Sequence, residues 1–144
     1  MKYLSVILVL VLTGCGSESD SGRNATIEDL VGTWDTSEKI GQEIDELYYI
    51  IEGDGNIIDF DYDGDSYDKG SNCYYKYDGA TLVDQGEGNF LVEVVNSEDY
   101  MAKISISGST ITVTTDEDGD SYTSKAVKID RIESDFTPLC NELL

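Results

Sequence analysis

Short β-forming stretches separated by tight-turn residues restrict the fold of this chain more than any other feature. Between Gly32 and Ile129, nine stretches rich in Val, Ile, Thr, Tyr and Phe occupy 32–36, 44–52, 57–62, 73–77, 80–84, 90–95, 100–107, 110–115 and 122–129. Most are separated by turn signals: Gly53-Asp54-Gly55-Asn56, Asp78-Gly79, Gly86-Glu87-Gly88-Asn89, Gly108-Ser109 and Asp118-Gly119-Asp120. Gly, Asn and Asp tolerate the positive φ that tight hairpins need. Pro138, the only proline, lies beyond all nine, so no ring interrupts a ladder. In 57–62, Ile58, Phe60 and Tyr62 share one face and Asp59 and Asp61 the other. Such alternation predicts a buried apolar face and a wet aspartate face. The expected class is all-β: an antiparallel up-and-down barrel of about eight strands, with a sandwich as the alternative. Short helical turns flank it, one at 26–30 with Thr26 as N-cap and Asp29 three residues on, and one starting at Pro138.

The amino terminus is different in kind. Behind Lys2, residues 4–12 hold eight aliphatic residues and one Ser. A transmembrane helix needs about twenty apolar residues, so this run has the length of a signal-peptide core. Leu12-Thr13-Gly14-Cys15 follows and resembles the lipobox of bacterial lipoproteins. The resemblance implies that 1–14 is a signal peptide and that Cys15, acylated on its thiol, becomes the first residue of the mature chain. Residues 15–25 then form a lipidated, flexible tether, and 26–144 the β-domain. Gly16 occupies the position where an Asp resembles an inner-membrane retention signal. The implied location is the cell envelope, with lipid anchoring to the outer membrane of an organism that has one.

Charge and cysteine content narrow the partners. The formal net charge is −21, and loss of Lys2 with residues 1–14 takes it to −22. Such a chain repels nucleic acid and other polyanions. It contains no His, which removes His-based triads, general bases and metal ligands together. No nucleophile motif or phosphate-binding Gly-rich loop is present, so the chain reads as non-catalytic and cofactor-free. After lipidation of Cys15, Cys73 and Cys140 remain. In an oxidising compartment they are expected as a disulfide, with two free thiols or a two-Cys zinc site as alternatives.

Leu30-Val31-Gly32-Thr33-Trp34 is similar to the opening of lipocalin-like barrels, where a helical turn leads into Gly-X-Trp. The resemblance implies that Trp34 plugs the closed end of the barrel and that a basic residue from the last strand lies across its ring. Arg131 is assigned that role for its planar guanidinium, with Lys128 as the alternative. It also implies a barrel mouth that holds a small, often apolar, molecule.

The acidic runs are weaker signals. Asp59-Phe60-Asp61-Tyr62-Asp63-Gly64-Asp65 matches the first seven positions of an EF-hand loop, but Gly70 stands where the bidentate Glu belongs. Asp63-Gly64-Asp65-Ser66-Tyr67 recurs as Asp118-Gly119-Asp120-Ser121-Tyr122, which shared hairpin chemistry explains. No metal is therefore expected, and a loose Ca²⁺ site at the tips is the alternative. The functional expectation is a monomeric, membrane-anchored, non-catalytic lipoprotein binding a small apolar molecule in its barrel. The alternative is an envelope interaction or inhibitor protein whose acidic surface meets a basic protein.

Overall fold

The computed structural model describes residues 22–40, 43–64 and 72–140. Residues 1–14, expected as a signal peptide, Cys15, and residues 65–71, which include the end of the first acidic run, lie outside them. In chain order the elements are β1 (Arg23–Asn24), α1 (Ile27–Leu30), β2 (Gly32–Asp35), β3 (Glu38–Ile40), β4 (Glu43–Asp45), β5 (Leu47–Ile51), β6 (Asn56–Asp63), β7 (Cys73–Gly86), β8 (Asn89–Val94), β9 (Tyr100–Ser107), β10 (Thr110–Glu117) and β11 (Asp120–Ile129), followed by a 3₁₀ turn at Glu133–Asp135. Eight strands pair antiparallel in the order β9-β10-β11-β2-β5-β6-β7-β8, and β8 returns to β9 to close the barrel. The remaining strands are accessory. The β3–β4 hairpin stands in the β2–β5 connection. β1 pairs with Ser105 and Ile106 of β9, just past Lys103, where β8 begins its own pairing. Residues 23–25, expected in the tether, therefore belong to the folded domain, with Ala25 buried.

Two expected strands merge and one divides. The turn expected at Asp78-Gly79 is a bulge: Ile58 pairs with Asp78 and the adjacent Ile57 with Ala80, so Gly79 is the extra residue in a continuous β7. The stretch 44–52 is shared between β4 and β5. The predicted cap of α1 is present, with Asp29 accepting from the Thr26 N–H at 2.9 Å while Arg23 donates to both its carboxylate oxygens at 2.5 and 2.7 Å. That double contact holds the Asp29 carboxyl well below the ordinary range.

Trp34 closes one end of the barrel. Its ring is fully buried, and its indole N–H donates to the Leu30 carbonyl at 2.7 Å, tying β2 to the end of α1. The Lys128 ammonium stands 5.3 Å from the ring centroid. The register explains why, since Lys128 is the direct cross-strand partner of Trp34 and so shares its face. Arg131, assigned to this place from the sequence, lies two residues past the end of β11 and stacks elsewhere. The Gly of Gly-X-Trp is also explained: Gly32 has φ +133°, and a Cβ there would stand 2.7 Å from Lys128 Cε.

A second core lies outside the barrel. Tyr48 of β5, Ile58 and Phe60 of β6 and Tyr74 of β7 point away from the interior and are covered by the carboxy-terminal tail through Phe136. Phe60 and Phe136 stack at 4.3 Å. Arg131 lies 4.1 Å above the Phe136 ring and 5.0 Å from that of Tyr48, and donates to the Asp135 carbonyl at 3.0 Å. The guanidinium stacks as expected of its chemistry, but on this outer cluster and not on Trp34. The tail then runs beside β7, where the Tyr74 N–H donates to the Pro138 carbonyl at 2.9 Å and Cys140 bonds Cys73 across 67 residues of chain. The described helical turn precedes Pro138; the turn expected to start there falls largely on 141–144, outside the described residues.

Closing a loop of this length stabilises a fold by about 4 kcal/mol on the chain-entropy argument. Reduction, or Cys140→Ser, is expected to lower unfolding stability by up to that amount and to free the tail, read as a lower urea midpoint and new amide exchange at Tyr74. Gly32→Ala is expected to cost about 1–3 kcal/mol through backbone strain at positive φ, read by the same denaturation.

Candidate functional site

An eight-stranded barrel is just wide enough to be filled by its own side chains. This one is not filled, because several inward positions carry truncated residues: Ala80 on β7, Ala102 on β9, and Ser124 and Ala126 on β11. They leave a cavity of about 470 Å³ that opens at the end away from α1. Trp34 forms its floor, with walls from Ile51, Leu82, Val92, Ile104 and Ile111. The size and apolar lining are those of ordinary small-molecule sites.

The wall carries one unexpected group. Asp59, assigned from its sequence pattern to a wet outer face, lines the cavity. Alternation separates the faces of β6 correctly but does not say which face is interior. Here the aromatic face of Ile58, Phe60 and Tyr62 is buried on the outside under the tail, and the aspartate face turns into the barrel. Burial pushes the Asp59 carboxyl up to about 6. Tyr49, its cross-strand partner on β5, also lines the cavity, and its hydroxyl is pushed up to about 12 by burial and then by the negative field of Asp59. Tyr100 on β9 is raised by the same two causes. Both tyrosines thus stay neutral.

No Lys or Arg lines this cavity among the residues whose side chains are described, which leaves out Lys39. Arg23 is paired with Asp29, Lys76 with Glu133 on the outer face, and Arg131 is stacked in the outer core. Lys103 and Lys125 alternate with inward Ala102, Ile104, Ser124 and Ala126, so they face outward. Lys128 reaches past Gly32 on the closed-end side of the indole.

The other sequence-derived sites separate clearly. Cys73 and Cys140 form the expected disulfide, buried beneath the tail. Asp63 lies within 4.8 Å of both sulfurs because it pairs with Cys73 across β6 and β7; with the sulfurs bonded to each other, this grouping holds no thiolate for a metal. Residues 59–63 run as regular strand, whereas an EF-hand loop must coil around its ion. The second acidic tip is a tight hairpin, with Asp118 at φ 53° and Gly119 at φ 93°. The first tip and Cys15 fall outside the described residues.

The raised Asp59 pKa fixes a pH dependence. A carboxyl that binds protons more tightly folded than unfolded supports the fold fully below its ordinary value near 3.8, and that support is lost as pH rises through about 6. Asp59→Asn is therefore expected to be more stable than the parent chain at pH 7.5, by about 1–2 kcal/mol once the group's remaining solvent contact is allowed for. The two are expected to converge at pH 4, measured by urea unfolding at both values.

The comparisons with known proteins leave this site to be read from its own chemistry: no protein-family model matches the chain, and neither a curated protein nor a solved structure shows significant similarity to it.

Proposed function

We propose that this chain is an exported, lipid-anchored, non-catalytic binding protein that holds a small, largely apolar molecule inside its barrel. The hollow interior above Trp34 carries this reading. A barrel serving only as a scaffold gains stability by filling such space, since each unfilled volume forfeits packing contacts. Here small residues at Ala80, Ala102, Ser124 and Ala126 keep it open, and the cavity connects to the mouth. The lipobox resemblance at 12–15 supports anchoring through Cys15 at the cell envelope, and the acidic surface favours neutral or cationic partners over nucleic acid.

Two measurements test the proposal. The mature chain without acyl groups is expected to bind N-phenyl-1-naphthylamine, a neutral apolar dye, with saturable fluorescence at one site. Ala126→Phe, which places a ring in the cavity, is expected to keep the fold and weaken the dye tenfold or more. Absence of a saturable site would leave the acidic surface, and a basic protein partner, as the better reading. Independently, the parent protein is expected to incorporate labelled palmitate in cells and Cys15→Ala is not; equal labelling would remove Cys15 as the anchor.

A further inference from the structure

A cavity meant for a purely apolar guest has no use for a carboxylate, because removing that charge from water is unfavourable unless a partner compensates. Asp59 stands in the cavity wall with Tyr49 beside it, and no described cation faces it. Aromatic rings continue from this point to the rim. Tyr77 and Tyr75 on β7 are the cross-strand partners of Asp59 and Asp61, and their rings stack at 6.3 Å where β7 runs beyond its pairing with β8. A carboxylate with tyrosine side chains around it suits organic ammonium groups, which pair with the charge and favour aromatic surroundings. A bare divalent ion fits less well. Its several oxygens must converge at about 2.4 Å, whereas successive aspartates on one strand face stand about 6.6 Å apart.

We propose that the ligand is an amphipathic organic cation, its apolar portion lying over Trp34 and its ammonium group pairing with Asp59 between Tyr49 and Tyr100. The inference rests on the barrel-binding reading and adds the chemical class of the guest. The carboxylate selects for charge, and the walls of Ile51, Leu82 and Val92 accept the chain.

The titratable groups facing Asp59 are Tyr49 on β5, Asp61 on its own strand, Tyr77 on β7, and Tyr100 and Glu98 at the entry to β9. Tyr49 and Tyr100, both raised, stay neutral between pH 5 and 7.5, so a binding change in this window follows Asp59. With Asp59 titrating near 6, amine affinity is expected to fall about tenfold over that range.

The test is calorimetric titration of the mature chain, without acyl groups, with decylammonium, 1-decanol and decanoate at pH 7.5. Decylammonium is expected to bind at least tenfold more tightly than decanol, and decanoate most weakly. Asp59→Asn is expected to bring the amine's affinity down to that of decanol. In the parent chain, lowering the pH to 5 is expected to weaken decylammonium and not decanol, a comparison that holds even if the variant fails to fold. Equal binding of amine and alcohol at pH 7.5 would overturn the cation and leave the barrel reading intact. Binding of none of the three would overturn both.

Discussion

The placement of one indole ring organises this molecule. Trp34 is bonded to the end of α1 through its N–H and covered by the Lys128 ammonium on its closed-end side, and it meets the cavity on the other. The opening turn, the first barrel strand that follows it and the last strand, far along the chain, are thereby fixed to one group. Because neighbouring strands hold their cross-strand partners on one face, fixing Trp34 as inward also fixes Tyr49 as inward through the β2–β5 register, and then Asp59 through β5–β6. The carboxylate in the cavity is thus a geometric consequence of the plug at its floor.

The tail does for the outside of the barrel what the plug does for the inside. Strands β5, β6 and the start of β7 are apolar on their outer face, and a single barrel wall exposed to water could not carry Phe60, Tyr48 and Ile58 there. Phe136 and Arg131 cover them, and the Cys73–Cys140 bond holds the cover down. Two cores therefore share one stretch of sheet. That sharing frees the interior from being the sole source of apolar burial and allows it to remain hollow.

The architecture was legible in the sequence because hairpin chemistry and alternation are local signals. Gly108-Ser109 and Asp118-Gly119 mark turns where the structure has them, and Cys73 and Cys140 form the disulfide expected of two cysteines in an oxidising compartment. What was not legible required long-range register. Whether Asp59 faces in or out depends on the pairing of β2 with β5, across an insertion that contains the β3–β4 hairpin, and no local pattern spans it. The same holds for the cation over Trp34: Lys128 and Arg131 are both basic and near the strand end, and only the pairing of Lys128 with Trp34 separates them. Asp78-Gly79 has the composition of a turn, yet the β7 ladder continues through it as a bulge.

The ligand proposal depends on a half-buried carboxylate in the cavity wall, with no Lys or Arg lining that cavity among the described side chains. NMR titration of the Asp59 side-chain carboxyl carbon reads this directly. The account predicts a midpoint near 6 in the free protein, moving down when decylammonium is added. A midpoint at the ordinary aspartate value near 3.8, unmoved by the amine, would contradict it.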